Sequence, residues 1–283
     1  MFTWENLLRG SSAPVMGVVN VTPDSFSDGG RFLDPDAAVA HGLSLVADGA
    51  AVLDVGGEST RPGAEPVGAD EELRRVVPVV RGLVDELGAL GRSVPVSVDT
   101  TKAVVAVAAL DAGAVIVNDV SAGRADPEIL GVVADARAGY VVMHMLGEPR
   151  TMQADPQYDD VVDDVAELLV ARLDAARAAG IDSAALMADP GIGFGKRVAH
   201  NLELIARLPE LAERVGAPIL IGTSRKSFIG TVLGDDDLTR REEGTLATVT
   251  YALDHGAAMV RVHDVRAASR VARLLRAMEE SAA

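Results

Sequence analysis

The sequence contains no cysteine, which excludes disulfides, thiolate nucleophiles and cysteine-ligated metals. Any chemistry must be done by oxygen and nitrogen groups. No run approaches the roughly 18 apolar residues that a membrane helix needs. The first residues, MFTWENLLRGSS, lack the basic segment, apolar stretch and small-residue cleavage site of a secretion signal. A cytoplasmic protein with no membrane partner is the expectation. Positive charge is also scarce: 26 Lys and Arg stand against 42 Asp and Glu, a net −16. Such a surface repels a phosphate backbone, which argues against a nucleic acid as partner. The five histidines show no HExxH or comparable zinc spacing.

What the chain does have is length for a large core, 283 residues, with 48% hydrophobic and 24% charged residues as in ordinary globular proteins. Eight short apolar runs recur: Val15 to Val19, Ala51 to Val55, Val94 to Val98, Val115 to Val117, Tyr140 to Met143, Ala185 to Ala188, Pro218 to Ile221 and Met259 to Val262. Continuous apolar runs of this length suit strands buried on both faces, as in a parallel sheet. Helical segments lie between them. Asp34-Pro35 and Asp126-Pro127 each predict a carboxylate N-cap followed by proline at the first helical position. Thr239 with Glu242 matches a capping box. Gly49, Gly113, Gly139, Gly180, Gly216 and Gly256 stand where helices should stop before strands. The module recurs in DGAAVLDV, AGAVIVND, VGAPILIG and HGAAMVRV, as expected of a repeated βα unit. The pattern predicts one α/β domain over residues 1–283, a (β/α)8 TIM barrel with residues 1–13 as an N-terminal extension. A doubly wound open sheet is the competitor, and strand number alone does not separate the two.

A barrel places its chemistry at the C-terminal ends of its strands. The runs are followed there by Asn20, Gly56-Gly57-Glu58, Asp99, Asn118-Asp119, His144, Asp189, Ser224-Arg225-Lys226, and Arg261 with His263. Asp99, Asn118 and Asp189 are short, rigid groups suited to the edge of a flat heterocycle. Arg61, Lys226, Arg261 and His263 are cationic or can become so, which points to an anion such as phosphate or pyrophosphate. A lone Asp after a strand is as often a helix cap, and Asp119 best fits that bland role. Period-2 geometry sends Arg261 and His263 to one side. His41, His200 and His255 fall in helical segments and read as surface or capping groups. His144 could line a cavity or make a structural bond. DPGIGFGK is neither a P-loop nor GxGxxG; its glycines suit a close backbone turn. Asn20-Val21-Thr22 is a sequon without meaning in a chain that lacks an export signal. Two strand-end loops, 20–30 and 56–66, read as covers that close over substrates. No nucleophile–base pair stands out.

The segments MGVVNVTPDSFSDGG, DVGGESTRPG, SVDT, NDVSAG, DPGIGFGK, GTSRKSFIG and RVHDV, in this order, resemble those of the dihydropteroate synthase family. The likeness runs from about Val15 to about Ala268. It implies a transferase of folate biosynthesis that joins 4-aminobenzoate to a dihydropterin pyrophosphate, an SN1-like step with Mg2+-assisted pyrophosphate departure, inhibition by sulfonamides, and a homodimer. By motif, it implies pterin binding by Asp99, Asn118, Asp189, Lys226, Arg261 and Phe194. Asn20, Arg261 and His263 would hold the pyrophosphate, with Asn20 also on Mg2+. Phe26, Thr60, Arg61, Pro62 and Ser227 would shape the 4-aminobenzoate site, and Lys226, Arg261, Arg61 and Asp28 would be catalytic. Alternatives are a non-catalytic pterin-binding paralogue, a pterin-dependent methyltransferase barrel and a Schiff-base aldolase using Lys226. The methyltransferase would not require TPDSFSDGG or the Ser-Arg-Lys-Ser segment, and Lys226 follows Arg225 directly, which suits an aldolase poorly.

Overall fold

The apolar runs can escape water only if both faces of each strand are covered, and that condition shapes the molecule. The computed structural model describes residues 1–11, 13–22, 34–60, 63–148, 150–235, 237 and 240–282. The strands are β1 (Val15–Asn20), β2 (Val52–Gly56), β3 (Val96–Asp99), β4 (Ile116–Asp119), β5 (Gly139–Met143), β6 (Leu186–Asp189), β7 (Leu220–Ile221) and β8 (Met259–Val262). All pair in parallel, in the order β6-β5-β4-β3-β2-β1-β8-β7. A further parallel bridge, Ala188 to Ile219, joins the two ends, with the Ala188 N–H donating to Pro218 O at 2.9 Å. The sheet is therefore a barrel, not a doubly wound open sheet.

Every strand residue is buried except Asn20, Asp99 and Arg261. The strands sit slightly later than the apolar runs. Asn20, Asp99, Asn118, Asp119 and Asp189 lie inside them because the ladder continues past the last apolar residue: Asn20 pairs Gly56, Gly56 pairs Asp99, and Asp99 pairs Asn118. Polar residues at the mouth thus stand on backbone fixed by sheet hydrogen bonds.

Among the described residues the helices are α1 (Trp4–Gly10), α2 (Pro35–Ala47), α3 (Ala69–Ala89), α4 (Ala103–Asp111), α5 (Glu128–Ala136), α6 (Val161–Ala178), α7 (Val198–Ala206), α8 (Leu208–Val215), α9 (Ser227–Leu233), α10 (Glu242–Asp254) and α11 (Val265–Ala282). None is long and apolar enough to cross a membrane. Asp34 caps α2 and Pro35 opens it. α5 begins one residue later than Asp126-Pro127 predicts, at Glu128. Asp126 instead serves two helices, accepting from Glu128 N at 3.2 Å and Ala103 N at 2.7 Å. Gly139 does not stop a helix: it is the first residue of β5. The left-handed residue ending α5 is Arg137, at φ 52. Pro209 sits in the first turn of α8, where its missing N–H separates α8 from α7. Thr239 of the expected capping box lies outside the described residues, and α10 starts at Glu242.

The barrel interior is layered. At the N-terminal end Met16, Val52, Ile116, Val141, Met187, Leu220 and Met259 form an apolar cluster with Trp4 of α1. Trp4 is 1% exposed, and its indole N–H donates to Ala185 O at 2.8 Å. Phe2 and α1, through Trp4, Leu7 and Leu8, therefore close the floor of the barrel. Polar side chains begin one layer above, towards the mouth.

Candidate active site

Arg261 is the hub of that polar layer. It projects from β8, and its Nε donates to Asp54 Oδ2 at 2.7 Å while its Nη2 donates to Asp99 Oδ2 at 2.8 Å. Two anchors on one planar guanidinium fix both its position and its plane. Asn118 Nδ2 also donates to Asp54 Oδ2, at 3.0 Å. Burial pulls the Arg261 pKa down, but Asp54 and Asp99 outweigh it and hold the group charged. Burial lifts Asp99 to about 7, Arg261 opposing and the neighbouring Asp54 assisting. Two carboxylates on one guanidinium leave this trio with excess negative charge at high pH.

The second half of the site is the DPGIGFGK segment after β6. Asp189 is 6% exposed and accepts from Gly191 N at 2.7 Å. Its pKa is raised by burial, with Lys226 opposing. At Gly191 (φ +65) a Cβ would stand 1.9 Å from His144 O, so only glycine fits this turn. Each carbonyl from 191 to 195 takes a side-chain donor. Lys196 donates to Gly191 O and Phe194 O, Lys226 to Ile192 O, Gln153 to Gly193 O, and Tyr158 to Gly195 O. The segment is pre-organised, and it carries Phe194 against Val120, Met143, Met145 and Met152. Lys226 Nζ lies 4.8 Å from the Phe194 ring centroid. Burial lowers the Lys226 pKa to about 8, although Asp189 opposes the shift. A Cβ on Gly222 would lie 3.8 Å from Lys226 Nζ and 3.9 Å from Arg261 Cβ, so the two side chains flank this glycine.

Other mouth residues fall where the strand ends place them. Asn20 ends β1 next to Gly56, whose Cβ position is 3.8 Å from Asn20 Oδ1 and 3.5 Å from Asp99 Cβ. His263 follows β8, and its Nδ1 is 2.9 Å from Ser224 Oγ. The sequence shows no such serine–histidine pair, because 39 residues separate the two. Ser224 Oγ also accepts His263 N–H at 3.2 Å, a double tie that orients the ring. Thr60 is half-buried after β2, and Ser227 is the exposed first residue of α9. Phe26, Asp28, Arg61 and Pro62 lie outside the described residues. His144 is structural, 2% exposed and 2.8 Å from Lys196 Nζ; burial, then Lys196, keeps its pKa well below the usual histidine range. Asp119 is structural too, accepting from Ser121 N, Ser121 Oγ, Gly123 N and Tyr140 OH.

This geometry has known relatives. The profile of the pterin binding enzyme family matches residues 16–263. A dihydropteroate synthase of Mycobacterium leprae is 53% identical over 266 residues, 91% of each chain. The chain belongs to the dihydropteroate synthase family. It is accordingly an enzyme of the transferase class. A dihydropteroate synthase of Xanthomonas albilineans solved with 4-aminobenzoic acid superposes with a TM-score of 0.86 at 49% identity, covering 94% of this chain and 93% of the other. The same organism's enzyme in complex with 7,8-dihydropteroate gives 0.82 at 46% identity, covering 94% of both.

Within this dihydropteroate synthase fold, sequence reasoning missed Asp54. It is wholly buried and sits in the middle of an apolar strand. A signal existed: an unpaired carboxylate there is too costly to bury, so Asp54 required a cation in the same layer, and Arg261 was available.

Proposed function

We propose that this mouth binds a (7,8-dihydropterin-6-yl)methyl diphosphate and 4-aminobenzoate and joins them into 7,8-dihydropteroate, releasing diphosphate. One observation carries the reading: Asp189, Lys226 and the Asp54–Arg261–Asp99 trio form a single interacting polar cluster, buried at Asp54 and Asp189 and half-buried at the other three, at the C-terminal mouth. Asp189 accepts from the pterin amino group and ring N–H, and Lys226 donates to the ring oxygen and nitrogen. Arg261, held flat by its two carboxylates, stacks on the ring and turns its remaining N–H groups, with His263, towards the diphosphate. Thr60 and Ser227 stand at the rim for 4-aminobenzoate. In the reaction the methylene C–O bond breaks with its electron pair going to the diphosphate oxygen. The aniline nitrogen lone pair then forms the C–N bond, and its proton leaves to water. An aniline is unprotonated at neutral pH, so no strong general base is required.

The donor set fits Mg2+. Asn20, at the end of β1, offers one hard amide oxygen at the mouth. Mg2+ commonly takes few protein ligands and completes its shell with substrate phosphates and water. When bound, it would neutralise charge developing on the departing diphosphate. A homodimer belongs to the same reading, supported by Leu274 and Met278, 64% and 57% exposed on α11.

The test is to incubate the chain with the dihydropterin diphosphate, Mg2+ and 4-aminobenzoate and to measure diphosphate and dihydropteroate together. Both are expected in equal amounts, and failure to form either overturns the reading. A lysine with a pKa of about 8 also suits imine formation. Borohydride in the presence of carbonyl substrates is expected to trap nothing on Lys226; a trapped adduct would favour an aldolase.

A further inference from the structure

The structure holds a buried charge cluster outside the polar layer just described, at the root of the segment that follows β2. Lys102 Nζ donates to Glu58 Oε2 and, at 2.5 Å, to Glu72 Oε2. Glu72, on the first turn of α3, has a fully buried side chain, and those of Lys102 and Glu58 are 24% and 23% exposed. Glu58 does more than pair. Its Oε1 accepts the Val67 N–H at 3.2 Å, so one carboxylate ties residue 58 to residue 67 and both to Lys102. Arg75 Nη1 adds a bond to Gly57 O at 2.9 Å. Gly57 itself has no room for a side chain, since a Cβ would lie 2.7 Å from Val76 Cγ2. The stem is therefore seated on α3 from several directions. Burial pulls the Lys102 pKa down, and its two carboxylates more than reverse this, so the ammonium stays charged.

A surface ion pair in this position would be worth little. This cluster differs in two respects: it is largely withdrawn from water, and it joins three separate elements, the segment after β2, the α3 first turn and the N-cap residue of α4. We propose that Lys102 and Glu58 are positioning residues, a buckle that fixes Thr60 at the mouth for the aromatic amine. This rests on the 4-aminobenzoate reading above. Neither Lys102 nor Glu58 bonds to Asp189, Lys226 or Arg261. Only the charge of Glu72 reaches Asp99, where, after burial, it adds a minor part to the raised pKa, so the buckle should act mainly on one substrate.

The experiment compares the wild type with Lys102→Met, Lys102→Arg and Glu58→Gln. In Lys102→Met two carboxylates face each other without a cation, and the stem is expected to release. KM for 4-aminobenzoate should then rise about tenfold or more, since small misplacements of positioning groups cost factors of that order. KM for the dihydropterin diphosphate should stay within about twofold. Amide hydrogen exchange should quicken at residues 59, 60, 63–65 and 67 and not at 191–196. Lys102→Arg should recover most of the loss. Glu58→Gln keeps an acceptor for Val67 N–H but loses the charge, and should show a smaller effect of the same kind; it also serves if Lys102→Met does not fold. Equal increases in KM for both substrates, or unchanged KM and exchange, would overturn the proposal. If the wild type makes no product, the functional reading fails, and the exchange comparison still decides whether the buckle holds the stem.

Discussion

At the scale of single residues, the site is governed by how few cations serve how many carboxylates. Arg261 answers both Asp54 and Asp99, and Lys226 faces Asp189. For a free enzyme, the pH dependence of kcat/KM reports its essential acid and base. Asp99 is raised to about 7, so below that pH it gains a proton and ceases to be an anionic acceptor. Lys226 is lowered to about 8, so above that pH it loses the charge with which it donates. A bell with limbs near 7 and 8 is the expected outcome for the dihydropterin substrate. Lys226→Arg should abolish the basic limb, because a guanidinium stays charged across the range. Asp54→Asn should move the acidic limb to lower pH. The Asp54 charge helps to raise Asp99, and without it Arg261 favours the Asp99 anion more strongly. Steady-state kinetics from pH 5.5 to about 9.5 would read both shifts; an acidic limb unmoved in Asp54→Asn would show that another group sets it.

At the scale of elements, the strand ends were legible and the contacts between elements were not. Asn20, Asp99, Asn118, Asp189 and Arg261 declared themselves because each breaks an apolar run where a barrel turns its chemistry outward. Asp54 sits inside such a run, and its partner Arg261 is 207 residues away. Lys102, Glu58 and Glu72 look like ordinary surface charges until α3 packs beside the β2 end. Arg137 takes the left-handed position that the glycine pattern assigned to Gly139, and the glycine is needed two residues later: a Cβ there would stand 2.6 Å from a Phe2 ring carbon. The DPGIGFGK segment illustrates the same gap. Its glycines announced a close turn, but not that Lys196 would be buried to hold it. Burial drives the Lys196 pKa well below the usual lysine range, with two carbonyls and His144 as its partners. Lys196→Met would take the side-chain donor from Phe194 O and the partner from His144 Nδ1, while Gly191 O keeps the Phe194 N–H, at a cost on the order of 1–3 kcal/mol. Urea denaturation should show that loss. KM for the dihydropterin substrate should rise while KM for 4-aminobenzoate holds, since the segment carries Phe194 and not Thr60.

Across the whole molecule, the barrel separates stability from chemistry along its axis. The mouth concentrates buried charge, which is costly to fold, and the floor is an apolar cluster closed by Trp4. Conservative hydrophobic packing at one end thus offsets strain-prone electrostatics at the other, and the two ends should respond independently to mutation. Trp4→Ala removes a fully buried indole and its bond to Ala185 O, which costs about 3–5 kcal/mol. For a domain of this size that corresponds to a melting temperature lower by roughly 10 °C. Because Trp4 lies below the Arg261 layer and touches none of the mouth residues, kcat/KM per folded molecule should be unchanged at temperatures where the variant is folded. Calorimetry and kinetics on the same sample separate the two quantities. A large fall in kcat/KM without loss of folded protein would mean that the floor and the mouth are coupled through the strands, and the axial division would have to be given up.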